Sequence, residues 1–132
     1  MNLSHFHAFT DAMQRKDLEA MLTHMADDVL LKTPLIAEPF KGKAAIRPVV
    51  EALLGVVDKF DFREMMQGPQ HVSGYFGVTV GSIELDGMDY WRINEAGLIQ
   101  EMTVLWRPLP AVVAVQKMLA LAEGEPTQEL AR

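Results

Sequence analysis

The chain has no cysteine. Disulfides, thiolate metal sites and thiol nucleophiles are excluded, and a reducing cytoplasm is the expected setting. No apolar run approaches the roughly 18 residues of a membrane span, so no membrane partner is expected. The opening MNLSHFHAFTDAM has neither the basic start nor the apolar middle of a signal peptide. Basic clusters are also missing. With a net charge of -6, the chain lacks the grouped Lys and Arg that a nucleic-acid partner requires. No repeat, low-complexity stretch or linker divides it. What remains is a single domain, residues 1–132, long enough to bury a core unaided. Nine methionines suit either that core or a loosely shaped apolar pocket.

Phe6, Phe9, Ala12 and Met13 recur at helical spacing, which predicts a first helix over Leu3 to Lys16. Asp17 is placed to cap a second helix, Leu18 to Met25, closed by Asp27 and Asp28. VLLKTPL follows as a strand, ending at Pro34 at an edge or bend. A third helix is expected from about Lys43 to Val56, bent or restricted by Pro48. DFREMMQ and HVSGYFGVTV read as strands. Pro108 and Pro110 end the sheet, and a last helix runs from Ala111 to Ala122, with the residues after Glu123 expected to fray.

The second half fixes a register. Gly81-Ser82 suits a two-residue hairpin loop in which Gly supplies the positive φ. Val80 then pairs with Ile83, Phe76 with Gly87 and Gly74 with Asp89, and paired residues share a face. The inward row of the second strand becomes Ile83, Leu85, Gly87, Asp89, Trp91 and Ile93. One carboxylate thus interrupts an apolar row. The next strand turns Met102, Val104 and Trp106 to the same side. Helices, then antiparallel strands, then a closing helix describe an α+β domain with helices on one face of a curved sheet. Where the two layers part, an apolar cone is expected.

MADDVLLKTP followed by PFKGKAAI, and DYWRINEAGLIQEMTVLW near the end, resemble the nuclear transport factor 2-like superfamily, in its SnoaL-like branch. Ketosteroid isomerases, polyketide cyclases and limonene epoxide hydrolases are relatives. The resemblance covers nearly the whole chain. It implies a cystatin-like, cone-shaped α+β barrel: a strongly curved antiparallel sheet with helices on its concave face. It also implies that Asp89, on MDYWRI, stands where isomerases hold a neutral acid that donates to a substrate oxyanion. The isomerase base would fall on Thr33 and its tyrosine on Phe9. Two of three catalytic groups are absent, which argues against steroid isomerisation. The Asp-Arg-Asp set of epoxide hydrolases has no match either, since Arg107 lies on the outward row.

Asp89 is the candidate acid/base or oxyanion donor, because burial among rings would raise its pKa. The alternative is a structural carboxylate tied to an Arg, a backbone N–H or the Thr33 hydroxyl. Phe9, Met13, Leu31, Thr33 and Phe76 are candidate pocket walls, together with Trp91, Met102, Val104 and Trp106; each alone also fits simple core. His5 and His7 point to different helix faces and do not form a metal pair. No metal or organic cofactor is implied. The sequence thus supports a cofactor-free isomerase, cyclase or hydrolase acting on a small hydrophobic molecule. A non-catalytic binding module is the alternative. The resemblance implies a homodimer paired through the outer sheet face, around Tyr90, Arg92, Glu101 and Arg107.

Overall fold

A computed structural model describes residues 1–123, with side chains as far as Leu119. The expected fraying after Glu123 lies outside the described residues. Helix α1 spans Ser4–Gln14 and buries Phe6, Phe9, Ala12 and Met13. Helix α2 spans Leu18–Thr23, and the Asp17 carboxylate accepts from the Ala20 N–H at 3.1 Å, satisfying one of the free donors of the first turn. Strand β1 is Met25–Lys32 and β2 is the short Phe40–Lys41. Helix α3, Lys43–Val56, buries Ile46, Val50 and Leu54, one stripe at i, i+4, i+8, and continues through Pro48. Strands β3 (Lys59–Gln67), β4 (His71–Val80), β5 (Ile83–Ile93) and β6 (Ile99–Arg107) precede α4, Leu109–Glu123.

The strands form one curved six-stranded sheet in the order β2-β1-β6-β5-β4-β3. The β4–β5 register is the one the hairpin loop dictates, with Val80 opposite Ile83, Phe76 opposite Gly87 and Gly74 opposite Asp89. Gly81 has φ +60°, the left-handed conformation that favours glycine there. One pairing departs from an all-antiparallel sheet: β1 joins β6 in parallel. A parallel pair needs a long crossover, and here β2, α3 and β3–β5 all intervene.

The α2–β1 boundary also differs from expectation. Met25 is the first residue of β1, not the last of α2, and Asp27 and Asp28 lie within the strand. Met25 and Ala26 are both buried and Asp27 and Asp28 both exposed. The register slips between Met25 and Leu30, so the alternation that identifies a strand is lost there. The two aspartates face partners instead of closing a helix: Asp27 meets Lys43 at 3.5 Å and Asp28 accepts from Gln100 Nε2 at 2.8 Å. Helix α4 begins two residues earlier than expected because the Pro108 carbonyl already accepts from Ala111 and Val112.

The apolar residues gather in two clusters. One centres on Trp91 beneath α1 and α2 and includes Phe6, Phe9, Met25 and Ile99. The other lies under α4 and includes Val57, Phe76, Val78, Leu85 and Val115. Among the described residues, no helix is long and apolar enough to cross a membrane.

Candidate functional site

The two clusters meet above the middle of β5. A cavity of about 70 Å³ lies along that seam, walled by Phe9, Met13 and Met102 from the first cluster and by Phe76 and Leu119 from the second. One enclosed water takes up roughly 10–15 Å³ on the same measure. The space therefore admits several waters or part of a small ring system. A ligand of drug size, which fills roughly 300–1,000 Å³, needs the walls to shift. Met13, Met21 and Met102 in the lining are the flexible side chains that allow this.

Asp89 stands at the seam. Its row neighbours on β5 are Gly87 and Trp91, and its cross-strand partners are Gly74 and Val104. None of the four offers a side-chain charge or hydroxyl. The residue is 7 % exposed. Oδ1 has no hydrogen-bond partner, and no ion pair reaches the carboxyl, among the described residues. Burial alone pushes its pKa from 3.8 up to about 8, because an unpaired charge in an apolar setting loses its hydration. A structural carboxylate tied to Arg or to Thr33 does not describe this arrangement. The Thr33 hydroxyl accepts from the Leu35 N–H at 3.2 Å, a local turn contact.

Leu31, Thr33, Val104 and Trp106 complete the expected residues that face the cavity. Trp91 does not face it. That ring is 0 % exposed and packs edge-on against Phe6 at 5.1 Å and Phe9 at 6.4 Å. Gly74 makes room for it, since a Cβ there would lie 3.0 Å from Trp91 Cζ3. Trp91 is thus a core post behind Phe9, turned away from the seam. Sequence reasoning missed the helical wall, where Val49, Val50, Leu53 and Leu54 of α3 close the cavity. Their i, i+1, i+4, i+5 spacing was a readable signal for a buried face. Phe60 and Leu119 carried no such signal.

Residues 6–102 match the SnoaL-like domain family. The chain belongs to that family. Structural likeness places this SnoaL-like chain among proteins of one fold. It superposes on an uncharacterised protein with a cystatin-like fold from Silicibacter pomeroyi DSS-3 with a TM-score of 0.85, at 22% identity over 91% of this chain and 85% of the other. A steroid delta-isomerase from Pseudomonas aeruginosa also gives 0.85, at 20% identity over 92% and 90%. The epoxide hydrolase/cyclase-like enzyme SalBIII, of pyran ring formation in salinomycin, gives 0.69, at 14% identity over 78% and 88%. No curated protein sequence matches the SnoaL-like chain. At such identities the likeness speaks for the fold and leaves chemistry to the site.

The histidines take a different place from that of metal ligands. His5 Nδ1 lies 2.9 Å from His24 Nδ1, joining the start of α1 to the end of α2. Burial first, then His5 and Lys43, hold the His24 pKa below its ordinary value. Among the described residues no group of three potential ligands is suited to a metal ion. On the outer sheet face, Asp86 bridges Arg63 at 2.8 Å and Arg107 at 2.9 Å. Met88 lies between Tyr75 and Leu105 across three strands, and Leu105 is 61 % exposed.

Proposed function

We propose that this SnoaL-like protein acts on a small hydrophobic carbonyl compound, with Asp89 as its acid/base. The observation that carries this reading is an unpartnered carboxyl at the seam of an apolar cavity. Asp89 is the one titratable side chain among the described lining residues. A carboxyl whose pKa lies near the working pH serves in both directions. Its anion, more basic than an ordinary carboxylate, takes the proton from the carbon beside the carbonyl. The neutral acid so formed donates to the enolate oxygen and returns the proton to carbon. One group therefore closes the cycle of an isomerisation or of a ring closure that passes through an enolate.

Exchange at the α-carbon of 1-indanone in heavy water tests this reading. Wild type is expected to accelerate exchange by about 10²- to 10⁴-fold over buffer, with a rate that climbs as the carboxylate forms through about pH 8. Asp89→Asn is expected to retain the fold and to fall to background. The absence of a second titratable group among the described lining residues favours another reading, a non-catalytic binder. Binding of 1-indanone by wild type with background exchange would select it.

We further propose a homodimer that buries the outer-face band of Tyr75, Met88 and Leu105. Leu105→Glu is expected to shift the sedimenting species from dimer to monomer with an unchanged far-ultraviolet spectrum. A wild type that sediments as a monomer at high concentration rules the dimer out.

A further inference from the structure

Among the described residues, Trp106 holds the other unpartnered polar group at the cavity. Its indole Nε1 is buried and has no acceptor among the described residues, yet the residue is part of the cavity wall. Buried indole N–H groups ordinarily find a partner.

Gly87 sets where this N–H lies. It pairs with Trp106 across β5 and β6, and a Cβ at Gly87 would sit 2.7 Å from Trp106 Cδ1. Cδ1 is bonded directly to Nε1, so the pyrrole edge of the ring lies over Gly87. In the inward row the residue after Gly87 is Asp89. Trp106 is therefore one diagonal step from Asp89, a separation of roughly 7 Å between Cβ atoms in a regular sheet. A single oxygen accepting from both groups at about 2.8–3.0 Å bridges such a step. Trp91 Nε1 is also without a partner among the described residues, but Trp91 lies outside the cavity lining, so a ligand there does not reach it.

We propose that Trp106 Nε1–H is the second hydrogen-bond donor of the site and restricts it to apolar molecules carrying an acceptor oxygen. The inference rests on the reading of Asp89 as a neutral acid at the cavity. Two donors that share one acceptor reward a ketone oxygen. They leave a hydrocarbon of the same shape with both groups unsatisfied.

The test compares 1-indanone with indane, which lacks the oxygen. Wild type is expected to bind 1-indanone about tenfold or more tightly than indane, as two net hydrogen bonds allow. Trp106→Phe keeps an aromatic wall without the donor. It should lose about 3- to 10-fold for 1-indanone and nothing for indane, and the bound carbonyl stretch should move to higher frequency. Asp89→Leu separates the two ideas. If it abolishes the preference for the ketone while Trp106→Phe does not, the Asp89 reading stands and the role of Trp106 falls. The reverse result removes Asp89 and keeps Trp106. In wild type, the Trp106 indole ¹⁵N–H resonance is expected to shift downfield with 1-indanone and not with indane, whatever the fate of the variants. An unmoved resonance, or equal affinity of wild type for the two probes, overturns the proposal.

Discussion

Replacing Asp89 by asparagine is expected to stabilise the protein at pH 8 by roughly 2–4 kcal/mol, a rise in Tm on the order of 10 °C. In the unfolded chain this carboxyl ionises near 3.8, and in the fold only near 8. Between those values the unfolded chain has released a proton that the folded chain still holds. Each rise in pH across that window therefore weakens the fold. The contribution of the neutral acid is whole below about pH 4 and gone above about pH 8. A gap of about four units sets a ceiling of roughly 5–6 kcal/mol, at ~1.4 kcal/mol per unit. The expected gain is smaller because a buried asparagine amide has its own unmet hydrogen bonds. At pH 4 the variant should match wild type or fall below it. Urea unfolding of both proteins at pH 4, 6 and 8 reads the difference, in which the other titrating groups cancel. A variant less stable than wild type at pH 8 would mean that the carboxylate is paired after all.

The second large effect concerns Trp91. Trp91→Ala should cost roughly 3–5 kcal/mol, a large part of the 5–15 kcal/mol that holds a domain together. The ring fills the space above Gly74 and supports both Phe6 and Phe9. The urea midpoint is expected to fall with little change in slope. Trp91→Phe should show a smaller loss, with 1-indanone affinity following the folded fraction. Stability near wild type together with lost 1-indanone binding would instead make Trp91 a wall of the cavity.

Trp91 and Trp106 show how far the sequence could be read. Alternation puts both rings on the inward face, and both lie there. Which of them borders the cavity depends on where the helix layer lifts from the sheet. That is decided by α1, α3 and α4 packing from remote parts of the chain. The position of Asp89 was legible because the Gly81-Ser82 loop fixes the register by local geometry. The β1–β6 pairing was not, because parallel partners so far apart leave no turn between them to read. The start of β1 was obscured by the Asp27-Asp28 irregularity, where two consecutive exposed carboxylates imitate a helix end. The α3 wall was written in its apolar stripe, but a stripe shows only that a face is buried. That Asp89 finds no hydrogen-bond partner among the described residues lay beyond the sequence altogether, since it depends on every side chain that surrounds the carboxyl.

Burial in apolar surroundings makes Asp89 an acid that stays neutral at pH 7. Carboxyl ¹³C resonances of the aspartate-labelled wild type, assigned by comparison with Asp89→Asn and followed from pH 3 to pH 10, test it directly. The Asp89 signal should keep the shift of a protonated acid through pH 7 and titrate around 8. Titration at the ordinary aspartate value, near 4, would mean that the carboxyl is hydrated or paired and not held neutral.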